Sequence, residues 1–248
     1  MIEFVIIAAV ILVLFSPVVM NTIGPFIVWK TQKIPVIVRF PAMESSDFIK
    51  SRNEEFLNYD LDLKKMKFDV LGSSLLEDLH TKSYFRLYWN PSIKLAAMVV
   101  TMTSKAKEIT FLEFTQRYKD ETVLNVNNSV QPEAYPKIAF KQMFRFPKIR
   151  SAELLLEYHS ILKSKIKAKN DPVEFDLANG FFEVEKHIKR EADALLEMGL
   201  VKNEIDENGK RSLTLKGAFI MTFRSVSPGK EIFGFLSKRQ AMKLISNE

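Results

Sequence analysis

From Phe4 to Trp29 the chain carries no charged residue over 26 consecutive positions. No other feature limits the possible folds so strongly. About 20 apolar residues at ~1.5 Å rise cross the ~30 Å hydrocarbon core of a bilayer, so Phe4 to about Thr22 is long enough to span one. A cleaved signal peptide is the alternative. Against it, Met1-Ile2-Glu3 holds no Lys or Arg, and no small-x-small cleavage site stands out after the run. Residues 1–30 are therefore expected to form a transmembrane anchor. Pro17 and Pro25 fit a kink, or a helix that ends near Asn21-Thr22. Trp29 stands where an aromatic-belt residue belongs, just before Lys30 and Lys33.

Charge gives the expected orientation. Only Glu3 precedes the run, whereas Lys30, Lys33 and Arg39 follow it. The positive-inside bias then leaves the rest of the chain in the cytoplasm, as a single-pass protein of the cell membrane. Phe4, Trp29, Lys30 and Lys33 are the anchor residues of this reading.

The remainder is ordinary in composition. With 47% hydrophobic residues over 248 positions, a buried core is expected and disorder is not. The absence of cysteine excludes disulfides, thiolate metal sites and cysteine nucleophiles. The net charge of +6 is uneven: 44–80 sum to −4, 137–169 to +7, 170–207 to −7 and 208–248 to +6. Such blocks can pair within one fold, which is the simpler reading. Alternatively the basic blocks face anionic lipid.

Hydrophobic spacing predicts an α+β domain over 31–169. Ile34–Phe40 reads as a strand, and a helix begins near Ser46-Asp47. Strands then dominate from Lys67 to Phe146, with hairpins around Asn90-Pro91-Ser92 and Lys119-Asp120-Glu121. An antiparallel meander is expected. Ser151 caps a helix whose Leu154, Leu155, Tyr158, Ile161, Leu162 and Ile166 share the face that would cover the sheet.

Asn170-Asp171-Pro172 breaks the chain and is expected to restart a helix, opening a mainly helical subdomain over 170–248. Phe181, Val184, Ile188, Ala192 and Leu195 keep helical spacing up to Gly199, Asn208-Gly209 marks a hairpin, and Thr214 caps a helix with Leu215, Phe219, Phe223 and Val226 on one face. The stretch Lys230–Ile245 reads as a last helix.

Leu195-Leu-Glu-Met-Gly-Leu-Val201, the turn Asp206-Glu-Asn-Gly-Lys-Arg211 and Ser212-Leu-Thr-Leu-Lys-Gly217 resemble the end of a winged-helix domain. About 25 of the 248 residues carry the likeness. It implies a recognition helix, a two-stranded wing and a following helix. The helix in the recognition position holds Glu183, Glu185, Glu191, Asp193 and Glu197 against Lys186, Lys189 and Arg190. A helix meant for the major groove needs net positive charge, so a winged-helix-like shape is expected without nucleic acid as the partner.

Motifs for chemistry are sparse. His80, His159 and His187 have no metal-ligand spacing, and no glycine-rich phosphate loop or Gly-x-Ser-x-Gly elbow occurs. No cofactor, metal or catalytic residue is expected. Asn127-Asn128-Ser129 fits a glycosylation sequon. The strand Tyr84–Trp89 sets Tyr84, Arg86 and Tyr88 on one face, which is a candidate interaction surface unless helices cover it. The leading expectation is a membrane-tethered cytoplasmic interaction or scaffold module for an unknown protein partner. A membrane-tethered winged-helix regulator that binds nucleic acid is the rival.

Overall fold

A computed structural model of the chain describes residues 17–78, 81–105, 107–131, 133–166, 171–177 and 180–246. It is α+β, as expected, and its contacts divide into two units. One holds the described part of Met1–Val38 with Pro132–Pro136 and Ile188–Leu236. The other holds Arg39–Gln131, Lys137–His187 and the described part of Ser237–Glu248.

The larger unit is built on a six-stranded sheet. Strands β2 (Asp69–Glu77), β3 (Thr81–Asn90), β4 (Leu95–Ser104), β5 (Glu108–Arg117), β6 (Val123–Asn127) and β7 (Lys141–Arg145) lie side by side in chain order. Both expected hairpins are present as antiparallel pairs, β3 with β4 and β5 with β6. The uniform meander is not, because β7 runs parallel to β6. A parallel neighbour cannot follow from a tight turn. The chain instead leaves β6 through buried Asn128 and Ser129 and returns by a long connection, with Phe146 N donating to Asn127 O at 2.8 Å.

Three helices cover one face of this sheet: α2 (Ser45–Lys50), α3 (Glu54–Lys65) and α4 (Ala152–Lys165). Each long helix has a local cause. Asn53 Oδ1 accepts from Phe56 N at 2.8 Å to start α3, and Ser151 Oγ accepts from Leu154 N at 3.0 Å to start α4. Phe56, Tyr59 and Leu63 then recur at helical spacing on the buried side of α3, as Leu155, His159 and Leu162 do on α4. They meet Leu112 and Phe114, whose alternation along β5 sends every second residue to the same side.

Asp171-Pro172 does not restart a helix. Pro172 bridges to Tyr118 and Val173 N donates to Arg117 O at 2.9 Å, so this segment runs as a strap along the end of β5.

The smaller unit has a three-stranded sheet in the order β1-β9-β8, made of β1 (Lys33–Pro35), β8 (Val201–Ile205) and β9 (Lys210–Leu213). Only Ile34 and Pro35 of the expected strand Ile34–Phe40 pair with β9, together with Lys33 before them. Val36 and Ile37 instead donate to Gly209 O at 2.9 and 3.0 Å, wrapping the hairpin tip. Gly209 has φ +68°, and a Cβ there would lie 2.8 Å from Ile37 Cβ. Helix α5 (Gly180–Glu197) gives its residues up to His187 to the larger unit and those from Ile188 to the smaller. Its end packs Ala192 and Leu195 on Leu200, Val201 and Leu213. Gly199 at φ +69° stops it, and Thr214 Oγ1 accepts from Gly217 N at 3.1 Å to open α6 (Leu215–Ser225), which α7 (Gly229–Ile245) follows.

The expected transmembrane helix is corrected. Among the described residues no helix is long and apolar enough to cross a membrane, and with it fall the single-pass description and the cell-membrane placement with a cytoplasmic domain. The described part of the uncharged run is a helical stretch at 17–22, a turn at Ile23 and the short α1 (Gly24–Thr31). Buried Gly24 lies against Thr222 of α6, and Val28 and Trp29 pack on the core of the smaller unit. Trp29 is thus a packing residue, Lys30 an exposed residue in the last turn of α1, and Lys33 pairs with Asp206 at 2.7 Å. Phe4 lies outside the described residues.

Candidate functional site

The strand face proposed from sequence is covered. Tyr88 is fully buried and donates its hydroxyl to Asp60 Oδ1 at 2.7 Å. Burial, and then that carboxylate, push the phenol far above its ordinary pKa. Arg86 is buried with Nε 3.3 Å from Asp60 Oδ1 and Nη2 donating to Ser45 Oγ at 2.9 Å. Tyr84 packs against Phe48, and the Arg52 guanidinium sits 3.3 Å above its ring centre. These three residues come together as an internal polar cluster beneath α2 and α3. Arg86 and Tyr88 are buried, and Tyr84 is half-buried.

The histidines also stand apart. His80 lies outside the described residues. His159 is buried beside Phe114, and burial together with the Lys163 charge drives its pKa down to about 3, so it is neutral. His187 faces the Phe140 ring. Among the described residues no three His, Asp or Glu side chains group as metal ligands. Asn127 of the sequon is buried and donates to Asn125 Oδ1 at 3.0 Å.

Opposite the helical layer, the first turns of α5 lie on the sheet. Arg117 Nη1 bonds to Glu183 Oε2, and Lys186 Nζ lies 3.2 Å from Glu183 Oε1. Burial raises the Glu183 pKa, but these two cations outweigh it and leave the carboxyl below its usual range. The cavity beside the pair measures about 50 Å³ and is floored by Leu87, Ala96 and Met98. Ligand sites run to roughly 300–1,000 Å³, so this one is large enough only for a few waters.

A larger opening flanks β2, the edge strand. Two glycines seat α5 there. A Cβ on Gly180 would lie 3.1 Å from both Leu71 and Leu87, and one on Gly72 would lie 3.3 Å from the Phe181 ring. Phe181 stacks on Phe40 at 4.9 Å, and Phe40 meets Phe85 edge-on at 5.1 Å. Glu185 fastens this strap, accepting from Phe40 N at 2.9 Å and from Arg39 Nη1 at 2.5 Å.

Between strap, strand and helix lies an open groove of about 580 Å³. Leu177 and Phe182 stand exposed at its rim, with Lys186 Nζ 4.6 Å from the Phe182 ring centre. Along β2 the outer edge is used at the Ala42–Ser74 bridge, where Met43 N donates to Ser73 O at 2.9 Å. Toward the bulge at Leu71, no further backbone bond to this edge occurs among the described residues. The groove therefore offers ring faces, a length of strand edge and the solvent-facing Arg39. It holds no nucleophile–base pair. Periodicity marked Phe181 as a core residue, but only the pairing of distant segments shows that Phe40 and Phe181 build one wall.

The chain matches no protein-family model, no curated protein and no solved structure.

Proposed function

We propose that the chain is a protein-interaction module, and that the groove beside β2 receives an extended segment of a partner protein. The observation that carries this reading is the groove itself: aromatic walls beside a partly open strand edge, with Arg39 at the mouth. Extended peptides bind such edges through main-chain hydrogen bonds, and alternate side chains enter the flanking pockets. Phe40, Phe181 and Phe182 suit apolar side chains, and the Arg39 guanidinium, bonded to Glu185 through Nη1 but 72% exposed, has further N–H donors for a carboxylate next to them. The occupant of this reading is an acidic, apolar peptide in extended form.

Fluorescence anisotropy with short labelled peptides tests it. One series alternates Leu or Phe with Asp, and a second series replaces Asp by Lys. The acidic series should bind, Phe182→Ala should weaken it several-fold, and Arg39→Glu should shift preference to the basic series. Equal binding of both series, unchanged by either substitution, would overturn the reading.

The sheet order β1-β9-β8 and its hairpin between helices favour a second reading, the winged-helix binder of nucleic acid. Charge weighs against it. Lys189 pairs with Asp193 at 2.7 Å, Lys33 with Asp206 at 2.7 Å, and buried Arg211 with Asp193 at 2.8 Å, so these cations are already neutralised at the face that would meet phosphate. Weak, salt-labile binding in a gel-shift titration is expected. Sequence-selective binding at physiological salt would promote this second reading.

A further inference from the structure

Helix α6 buries Gly217, Ala218, Thr222 and Arg224, and packs Ile220 and Met221 on the core. Gly217 has to be small, since a Cβ there would lie 2.0 Å from the Leu200 carbonyl oxygen. The apolar stripe Leu215, Phe219 and Phe223 is left exposed on the other side. A surface helix needs only one apolar side to face the core, and Ala218, Ile220 and Met221 already supply it, so this stripe is additional.

The stripe does not stand alone. Phe219 meets Phe26 of α1 edge-on at 5.7 Å, and Phe223 meets Phe233 of α7 at 6.2 Å. Between α1 and α6 an open groove of about 320 Å³ is lined largely by Ile23, Ile27, Met221 and Val226. On α7, Ile232, Phe235 and Leu236 project at helical spacing, and Phe235 is 63% exposed. Among the described residues, six large apolar side chains are exposed on 17–27, three on α6 and three on the first turns of α7, at Ile232, Phe235 and Leu236. At about half of the ~150–250 Å² that large side chains can bury, they sum to on the order of 1,000 Å². A monomer's largest apolar patch is about 300–600 Å², and a stable interface needs about 800 Å² from each partner.

We infer that this face is covered by a second copy of the chain. The stretch 17–27 and the outward stripe of α6 carry no charge, so they offer nothing to select a charged partner. What they offer is both halves of one fit, since the same unit carries an apolar groove and, on α7, an apolar ridge. A two-fold axis puts the ridge of each copy into the groove of the other and closes the assembly at two.

The chain has no cysteine, which permits a direct test on the full-length protein. The double variant Ile27→Cys with Phe235→Cys, one cysteine in the groove and one on the ridge, should cross-link under mild oxidation to twice the 28.6 kDa chain mass, whereas Asn208→Cys at the hairpin tip should not. Phe219→Asp with Phe235→Asp should convert a sedimenting dimer to monomer with an unchanged circular dichroism spectrum. A monomeric parent with no intermolecular cross-link in the Ile27→Cys, Phe235→Cys double variant would overturn the inference. So would protection of those cysteines from maleimide only when phosphatidylcholine vesicles are added, which would make lipid the occupant.

Discussion

Gly217 approaches Leu200 so closely that a Cβ added to the glycine would sit 2.0 Å from the Leu200 carbonyl oxygen. The neighbour is backbone, so no side-chain rotation relieves the clash. Gly217→Ala should cost about 3 kcal/mol or more and open the hairpin side of the smaller unit first. Trp29 lies in that unit and Trp89 in the other. Fluorescence of Trp29 in a Trp89→Phe background should therefore melt well below the parent, while Trp89 in a Trp29→Phe background shifts less. An unchanged Trp29 melt would contradict this packing.

Asp60 accepts from Tyr88, lies against buried Arg86 and pairs with Lys64 at 2.6 Å. Asp60→Ala removes the acceptor and leaves the Arg86 charge uncompensated in the interior. A loss of about 3–5 kcal/mol is expected in urea denaturation, against about 1–2 kcal/mol for Tyr88→Phe. A similar small loss for both variants would mean that Arg86 is better compensated than the geometry indicates.

His159 sets a pH dependence. Its folded-state pKa is depressed to about 3 by burial first and by Lys163 second, while the unfolded chain titrates near 6.5. The unfolded state thus binds the extra proton, and stability falls as pH drops below about 6.5, by ~1.4 kcal/mol per unit until about pH 3. Carboxylates also titrate in this range, so the informative quantity is the difference from His159→Leu. Between pH 6.5 and 4.5 that variant should lose less stability than the parent. Parallel curves would refute the assignment.

Asn128 is a buried junction. It gives Nδ2 to the Tyr59 hydroxyl at 2.6 Å and to Ile149 O at 2.8 Å, and its Oδ1 accepts from Leu112 N at 2.8 Å. Asn128→Ala should cost about 2–4 kcal/mol, because it leaves a buried backbone N–H without an acceptor. Amide exchange at Leu112 should accelerate more than at its sheet neighbours. Uniform acceleration across the sheet would point to global destabilisation alone.

What the sequence made legible was local. Ser151, Thr214, Gly199 and Asn208-Gly209 each act within a few residues, and each stands where capping and turn chemistry require. The hairpin pairs of the larger sheet were legible for the same reason. Long-range pairing was not: nothing in Lys33–Pro35 names β9 as its neighbour, and nothing in Lys141–Arg145 reveals a parallel partner.

Periodicity has a matching limit. It located the stripe on α6 but not its direction, which depends on Gly217 and Ala218 fitting a close backbone approach. The candidate groove was illegible because its walls come from 39–43, 71–73 and 177–185. The run up to Trp29 reads by hydropathy as a span, whereas its described part turns at Ile23 and packs only Gly24, Val28 and Trp29 inward, with six large apolar side chains left exposed.

Strand β1 pairs with β9 across almost the whole length of the chain. During synthesis from the N-terminus, Lys33–Pro35 emerges long before the hairpin that completes its sheet. At about 5–20 residues per second, the wait is roughly 10–40 s. The six-stranded sheet and the helices that cover it are fully synthesised within that interval, so they have time to pack while the first strand of the smaller unit is still unpaired. Ribosome-bound chains halted before Lys210 should accordingly be cut by protease near Lys33 yet protected through β2 to β6. In translational order, the first strand of the chain is among the last to find its neighbour.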